Sequence, residues 1–381
     1  MRRIGRIALT AAALAIVLPG AELTSRAAPT PEAPPGPEAA PSPAVPSGYR
    51  VRTLINGLNH PWDVAFRPNG SMFVTERAGW IGLRRRNGHY RRIHRPGDVV
   101  ANGEGGMLGI AVSPRFRRSR EIFVCFNTAS DVRVVRFTMA FNPARLIRRR
   151  NLVTGIPTNP SGSGRHSGCR LKFGPDGFLW VTTGDAAVGT NPQNLRSRGG
   201  KVLRIRRTGR AAPGNFRGRI FAYGFRNPQG ISFRPRDGRA FIVEHGPGCN
   251  DEITPLRRGG NGGWNPVGNG EFYNEDVPMT DTSLPRVIRP VWSSGCPTIA
   301  PSGGTFVTHR DWGRWRGRMA VAVLKDQHLR LINVARGVVD PGRIIVSGWG
   351  RLRTAVEGPR GILYVPVDAN PGRIITVNPL P

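Results

Sequence analysis

The chain has 381 residues, including 50 Gly and 35 Pro, with 39% hydrophobic residues and a formal net charge of +32. This length is sufficient for a large core, and the composition is neither disordered nor collagen-like. So many glycines and prolines exclude a fold of long helices, and no run of about twenty apolar residues is present to span a membrane. Only Lys172, Lys201 and Lys325 are lysines among the 56 cationic residues, which makes each lysine more informative than an arginine.

The first residues are typical of a secretory signal. Arg2, Arg3 and Arg6 precede the apolar stretch 7–18, and this order of a charged and a short apolar segment predicts a signal peptide over residues 1–27. Residues 28–47 contain eight prolines and are predicted to form an extended linker. The remainder, residues 48–381, keeps a net charge of +31 after the loss of four Arg and three Glu. The expected location is therefore secreted or in the cell envelope.

Four cysteines fit an oxidising compartment. Cys125, Cys169, Cys249 and Cys296 contain no CxxC spacing, so disulfides are favoured over a zinc site. Three pairings are open, of which Cys125–Cys169 with Cys249–Cys296 is preferred. Four buried free thiols are the alternative.

A repeated phrase predicts the fold, which is an all-β, six-bladed β-propeller. A Pro with a nearby Gly precedes a short strand-forming run, as in the hairpin turns of propeller blades. Six copies over about 330 residues give a period of roughly 55, which is in the range of propeller blades. The copies lie at residues 66–70, 112–114, 173–177, 233–238, 315–317 and 358–361.

Chemistry on a propeller is expected in the loops that several blades bring to one end of the channel. His166 is flanked by small residues and is a candidate general base. Arg226, Lys325, Arg351 and Arg353 together form a set of cations that suits a ligand with several carboxylates.

A metal site is predicted in the segment after a strand that ends in Glu244-His245. Gly246 and Pro247 expose carbonyl oxygens of the kind that Ca²⁺ prefers. Taken alone, the same pair is typical of an ordinary turn.

The sequence resembles the glucose/sorbosone dehydrogenase family, the soluble PQQ-dependent aldose sugar dehydrogenases, over residues 50–378. The phrases that carry the resemblance occur in the family's order and spacing. They are HPWDVAFRPNG, FVTERAG, GEGGMLGIAVSPRF, HSGCRLKFGPDGFLWVTTGD, GKVLRI, YGFRNPQG, VEHGPGCNDEI, TIAPSGG, VLK and GRLRT.

The resemblance implies a role for each matching position. His166 corresponds to the catalytic base, and Arg226 to the arginine that polarises the reacting quinone oxygen of pyrroloquinoline quinone (PQQ). Asn227 would contact the cofactor. Lys325, Arg351 and Arg353 correspond to the cations that meet its carboxylates and ring face, and Gly246 and Pro247 to the carbonyls that hold the cofactor Ca²⁺.

Three positions depart from the family pattern. Glu104 stands at a cofactor-binding position where relatives often have Gln, which adds a carboxylate beside an anionic cofactor. Arg165 replaces an acidic residue of the glucose-oxidising members, so the sugar preference is open. Glu252 is a candidate ligand of a second, structural Ca²⁺, although the Tyr that some relatives use there is absent from the segment 260–264.

The leading functional hypothesis is an exported quinoprotein that oxidises an aldose to its lactone and passes electrons to an external cytochrome or quinone. A non-catalytic propeller that binds envelope carbohydrate or another protein is the alternative, favoured by Glu104. A Ca²⁺-dependent lactonase would need converging carboxylates and amides, which the sequence does not offer. The charge suggests an anionic envelope polymer as a partner or a preference for acidic saccharides, and a solvated basic surface is the alternative. No nucleic-acid-reading motif accompanies the charge.

Overall fold

The computed structural model describes residues 48–267, 273–335 and 340–380. The predicted signal peptide (1–27) and linker (28–47) lie outside the described residues. No helix in the described ranges is long and apolar enough to cross a membrane.

Six four-stranded antiparallel sheets form the described part of the chain, and they are the blades of a six-bladed β-propeller. The fold prediction is therefore confirmed. Blade 1 contains β2 (Pro61–Phe66), β3 (Met72–Glu76), β4 (Trp80–Arg84) and β5 (Tyr90–His94). Blade 2 contains β6 (Met107–Val112), β7 (Glu121–Asn127), β8 (Val132–Phe141) and β9 (Ala144–Ile156). Blade 3 contains β10 (Gly168–Phe173), β11 (Leu179–Thr183), β12 (Lys201–Ile205) and β13 (Ile220–Tyr223).

The remaining blades follow the same order from the inner to the outer strand. Blade 4 contains β14 (Asn227–Phe233), β15 (Ala240–His245), β16 (Glu252–Pro255) and β17 (Trp292–Ser293). Blade 5 contains β18 (Pro301–Phe306), β19 (Met319–Val323), β20 (His328–Ile332) and β21 (Arg343–Ser347). Blade 6 contains β22 (Val356–Glu357), β23 (Leu363–Val367), β24 (Gly372–Leu380) and β1 (Gly48–Leu58). The helices are short: α1 (Phe116–Ser119) and two 3₁₀ turns, Arg310–Trp315 and Pro359–Gly361.

The ring closes through the first strand of the chain. β1 pairs antiparallel with β24, with Val51 opposite Val377, so the N-terminal strand is the outermost strand of the last blade. This pairing joins the two ends of the described chain and removes the free edge that an open ring would leave. Each copy of the repeated phrase connects the first and second strands of one blade, because all six lie between an innermost strand and its neighbour.

The core is apolar and lies between the blades. Alternate residues of the inner strands pack against the next sheet, as Leu108, Phe123 and Val181 do in one cluster that joins blades 2 and 3. The Cys125–Cys169 disulfide lies in the same cluster and links β7 to β10, with 6.2 Å between the Cα atoms. Cys249–Cys296 is the second disulfide, so the preferred pairing is confirmed.

Strand direction decides which loops share a face. Each blade begins with its inner strand, so the six starting points of the inner strands lie at one end of the channel. The connections between the second and third strands lie at that same end. The turns between first and second strands, and the short turns between third and fourth strands, lie on the opposite face. We call the end at which the inner strands begin the mouth, and the opposite end the arginine face. The long connection between β16 and β17 also extends to the mouth, where Trp264 and Tyr273 contact Asp185.

Candidate functional site

The predicted site residues lie at the mouth. Glu104, His166, Arg226 and Arg353 each precede an inner strand by one to three residues, in blades 2, 3, 4 and 6. His60 holds the corresponding position in blade 1. Residues far apart in the sequence are brought together here because every blade contributes the same structural position.

His166 is held rigidly by its own loop. Its side chain is almost fully buried, and its backbone has a φ of 54°, in the left-handed region that non-glycine residues rarely adopt. A Cβ at Gly184 would lie 1.8 Å from the His166 carbonyl oxygen, so only glycine permits this approach. Nδ1 of His166 lies 2.8 Å from Oδ1 of Asp185, which leaves Nε2 as the nitrogen available to a substrate.

Asp185 is the centre of a buried hydrogen-bond network. Trp264 donates Nε1–H to its Oδ2 at 2.8 Å, and the Tyr273 hydroxyl donates to the same oxygen at 2.9 Å. The backbone N–H of Ala187 donates to Oδ1 at 2.8 Å. Because the carboxylate oxygens of Asp185 are acceptors for these donors, Asp185 is placed to accept from Nδ1–H of His166 as well, in the tautomer whose Nε2 can accept a proton. This is the arrangement of an oriented general base.

Arg226 lies beside this pair at the start of β14. Its carbonyl accepts a hydrogen bond from the Asp185 N–H at 2.8 Å, and its own N–H donates to Glu244 at 3.0 Å. The guanidinium donates to the His245 carbonyl at 3.2 Å and to Oε1 of Glu275. Its Nε is buried and has no hydrogen-bond partner within the described residues. The arginine is therefore fixed in place with donor capacity left for a ligand.

Glu275 bridges two arginines at the rim. It accepts from Arg226 through Oε1 and from Arg165 through Oε2, and Arg165 lies over the Tyr273 ring at 5.6 Å. Burial alone would raise the pKa of Glu275, but the hydrogen bonds and charges of the two arginines lower it. Arg165 stands where the glucose-oxidising relatives have an acidic residue. Glu275, which comes from a different loop, places an ionised carboxylate beside this position.

Arg353 contributes a second buried cation. Its guanidinium donates to Oε1 of Gln229 at 2.7 Å and to Asp368, and its Nε has no partner within the described ranges. The pKa of Asp368 is lowered, because the charges of Arg353 and Arg77 outweigh the effect of burial. Asp368 thus gives the buried Arg353 a counter-charge.

The surroundings of His245 show that several of the predicted cationic residues lie close together at the mouth. Burial lowers the pKa of His245 well below its ordinary value, and Arg226, Arg353, His166 and Arg351 lower it further. Its imidazole is therefore neutral, and its buried Nε2 has no partner in the part of the chain that the structure describes. Arg351 itself is exposed, as is Lys325, which follows β19 by two residues.

Glu104 contacts the backbone of His166 directly, a contact that the sequence did not indicate. Its Oε2 accepts from the backbone N–H of His166 and from Nδ2 of Asn227, both at 3.2 Å. Asn227 in turn accepts from the Gly168 N–H at 3.2 Å through Oδ1. The carboxylate therefore has two donors of its own and connects blades 2, 3 and 4.

The predicted metal residues lie on blade 4. Gly246 is locked in its turn, since its N–H donates to Asp251 at 2.9 Å and an added Cβ would lie 2.3 Å from the Cys249 carbonyl oxygen. Glu252 is buried and accepts from the Thr280 hydroxyl at 2.9 and 2.8 Å. Burial raises the pKa of Glu252 to about 8. The described residues contain no cluster of three or more His, Cys, Asp or Glu that could hold a metal, so a cation at Gly246 and Pro247 would depend on backbone carbonyls.

Lys201 supports the loop that carries Asp185. Its Nζ is fully buried and donates to the carbonyls of Asn191, Pro192 and Gly199 at 2.6, 3.0 and 2.6 Å. Nδ2 of Asn191 donates to the Asp185 carbonyl at 2.8 Å. Burial lowers the pKa of Lys201 to about 7.

We expect Lys201→Met to destabilise the protein, because three buried carbonyls lose their donor at about 1–3 kcal/mol each.

The wild-type free energy of unfolding should also rise with pH between about 7 and 10.5. In that window the unfolded chain keeps a proton on Lys201 that the folded chain has lost, which gives up to about 1.4 kcal/mol per pH unit. Urea unfolding of both proteins at pH 7 and pH 9 measures both effects. If the variant shows the same rise with pH as the wild type, Lys201 is not its source.

Sequence reasoning missed several residues of the site. Asp185 and His245 lie inside the phrases VTTGD and VEHGPG. Asp185 follows the second strand of blade 3 by two residues, and His245 is the last residue of the second strand of blade 4. An acidic or imidazole side chain at the end of a second strand could therefore have been recognised from the sequence. Tyr273, Glu275 and Trp264 belong to the long connection between β16 and β17 and carry no comparable pattern.

Comparisons with known proteins agree with this architecture. The glucose/sorbosone dehydrogenase family model matches residues 58–376. Aldose sugar dehydrogenase YliI of Escherichia coli is 29% identical over 355 residues, covering 88% of this chain and 94% of the relative. Quinoprotein glucose dehydrogenase B of Acinetobacter calcoaceticus is 27% identical over 251 residues, covering 56% of this chain and 52% of that protein. The PQQ-bound aldose sugar dehydrogenase of Streptomyces coelicolor superposes with a TM-score of 0.74 at 28% identity, over 88% of this chain and 99% of that one.

Proposed function

Because the chain belongs to the glucose/sorbosone dehydrogenase family, we propose that it is a PQQ-dependent dehydrogenase that oxidises an aldose to its lactone. One observation carries the proposal. A buried histidine oriented by an aspartate lies at the same mouth as two buried arginines, each with an Nε donor that has no partner among the residues the structure describes. The similarity to quinoprotein and aldose sugar dehydrogenases supports the same activity.

The residues at the mouth fit an anionic, planar cofactor. The buried Nε atoms of Arg226 and Arg353 and Nε2 of His245 are polar atoms without partners in the described ranges, and such atoms are costly unless a ligand or water meets them. Arg226, Arg353, Arg351 and Lys325 would hold PQQ, with Asn227 as a further contact. Arginine forks are suited to its carboxylates.

Bound PQQ would supply the hydride acceptor that no amino-acid side chain can provide. The protein's own part is to move a proton and to fix positions. Nε2 of His166 takes the proton from the sugar hydroxyl, while Asp185 stabilises the resulting imidazolium through Nδ1–H. Tyr273 and Trp264 hold Asp185, and Arg226 presents a fixed positive charge beside the reacting atoms.

Calcium, the electron acceptor and the location complete the proposal. Ca²⁺ would be held by the carbonyls of Gly246 and Pro247 and would act as a Lewis acid. Electrons would leave to an external cytochrome or quinone. Two disulfides are typical of an exported protein, which supports secretion or an envelope location.

Titration of the purified protein with PQQ in the presence of Ca²⁺, followed by absorbance, is the direct test. Saturable binding should be followed by dye-linked activity toward at least one aldose. Absence of binding would contradict the proposal and favour the non-catalytic propeller instead.

Arg351→Gln should raise the Kd for PQQ about tenfold or more, because one fixed charge near the carboxylates is lost. Arg351 is the better choice than Arg353, whose removal would take the buried guanidinium partner from Asp368 and leave it only His60. Arg50→Gln, an exposed arginine on the outermost strand of blade 6, is the matched control and should leave the Kd unchanged. Equal affinity in Arg351→Gln and wild type would exclude Arg351 from the cofactor site.

A further inference from the structure

The face opposite the mouth is strongly cationic. Among the described residues, exposed arginines occupy the first–second turns of blades 2, 4, 5 and 6 and the third–fourth turns of blades 1, 3 and 4. They are Arg85, Arg86, Arg115, Arg117, Arg118, Arg120, Arg206, Arg210, Arg217, Arg236, Arg239, Arg257, Arg258, Arg286, Arg289, Arg310, Arg314, Arg316 and Arg360. Many of the exposed arginines therefore lie on the face opposite the mouth.

Carboxylates do not neutralise this face. Among the described residues, the exposed acidic residues in the same connections are Asp176, Asp237, Asp276 and Asp311. Asp276 is next to Glu275, which lies at the rim of the mouth, and the other three each lie within 4 Å of a neighbouring cation. Like charges held this close repel one another, so the arrangement has a cost unless counter-charges collect on it. A basic face of this density attracts anions over about a Debye length.

Two grooves cross the arginine face. One, of about 960 Å³, lies between the turns of blades 2 and 3 and is lined by Arg115, Arg206 and Arg210. The other, of about 690 Å³, lies between the turns of blades 4 and 5 and is lined by Arg236, Arg314 and Arg316. Five of these six arginines form no ion pair within the described residues, and Arg236 has only a 3.9 Å contact to Asp237. Two separate basic grooves on one face suit a ligand that carries several anionic groups.

The neutral residues of the grooves favour a polysaccharide over a nucleic acid. Thr208 lines the first groove, and Thr308 and Asn333 line the second, which provides hydroxyl and amide groups for sugar hydroxyls. Phe141 is the one exposed aromatic side chain in the described ranges, and Arg67 and Arg120 cover its ring at 5.1 Å. Phe178 lines the first groove, and Arg204 lies over its ring at 4.4 Å. Binding of single-stranded nucleic acid uses open aromatic platforms for the bases, and both of these rings are covered by arginines.

We propose that the arginine face docks the protein on a linear acidic polysaccharide through these two grooves. The guanidinium forks bind sulfate, phosphate or carboxylate groups along the chain. The inner strand β10 runs for six residues, roughly 20 Å, between His166 and the turn at Asp176, so the mouth stays open when the opposite face is occupied. The partner class follows from charge and groove lining and does not depend on the dehydrogenase activity.

Charge-reversal variants test the docking surface. One variant reverses the charge of the first groove: Arg115→Glu/Arg206→Glu/Arg210→Glu. A second variant reverses the charge of the other groove: Arg236→Glu/Arg314→Glu/Arg316→Glu. Arg52→Glu/Arg150→Glu/Arg196→Glu changes net charge equally at exposed positions away from the arginine face. Heparin, a linear sulfated polysaccharide, is the probe, and binding is measured by titration at several salt concentrations and by elution from a heparin column.

At about 0.1 M salt, we expect each groove variant to lose tenfold or more in heparin affinity and the control less than threefold. The salt dependence of affinity should become shallower in the groove variants only, because fewer counterions are released on binding. Equal losses in groove and control variants would show that net charge alone attracts heparin and would overturn the proposal. Tighter binding of a single-stranded DNA of equal charge would overturn the partner class. Testing the two grooves in separate proteins, with thermal unfolding compared, keeps the result interpretable if one variant folds poorly.

Discussion

The His166→Ala variant is expected to lose about 10³-fold or more in kcat toward every aldose that the wild-type protein oxidises. General base catalysis contributes about 10²–10⁴-fold, and Asp185 orients the buried His166 imidazole at the mouth. The Kd for PQQ should remain within about threefold of wild type, since the proposed cofactor contacts are other side chains. Steady-state kinetics and the PQQ titration measure the two quantities separately.

His89→Ala is the matched control for this experiment. His89 is an exposed histidine in the turn between β4 and β5, on the face opposite the mouth. Its replacement should leave kcat and the Kd for PQQ unchanged. Full turnover in His166→Ala would remove the histidine from the mechanism, and a lost cofactor affinity in the same variant would instead assign it a binding role.

Asp185→Asn should lower kcat by about 10²–10⁴-fold at unchanged PQQ affinity. An amide keeps the shape of the carboxylate but can present its NH₂ group to Nδ1, which favours the tautomer with the proton on Nε2. That tautomer cannot accept the substrate proton. The buried amide also no longer stabilises the imidazolium that forms during the reaction.

Tyr273→Phe provides a graded comparison for Asp185. The Tyr273 hydroxyl is one of several donors to Asp185, alongside Trp264 and Ala187, so its loss should reduce kcat about threefold to tenfold. Kinetics of both variants with the same aldose give the ratio. A larger loss in Tyr273→Phe than in Asp185→Asn would mean that the tyrosine acts on the substrate directly.

Much of the fold could be predicted because its determinants are local. The turn at Pro175-Asp176-Gly177 and the run of alternating residues after it depend on neighbours within about ten positions, and this phrase recurs once per blade. The closure of the ring by β1 on β24 was not predictable in the same way, because both strands lack any distinguishing pattern. Their pairing depends on the geometry of the whole ring.

The site was predicted in part for the same reason. His166, Arg226 and Arg353 stand directly before inner strands, so a position in the repeat marked them as candidates. Glu275 shows the limit of this reasoning. It meets Arg165 across 110 residues of sequence, from a connection that belongs to no repeat.

The sequence by itself determined the number of blades and the loops that carry His166, Arg226 and Arg353, since hairpin turns and strand-forming runs depend on neighbouring residues. Tertiary structure decided which charges meet. Distances between blades decide whether Arg353 pairs with Asp368 and whether Trp264 and Tyr273 donate to Asp185. They also decide where the exposed arginines lie. Burial then sets the cost of each unpaired group, and that cost exists only once the ring has closed around it.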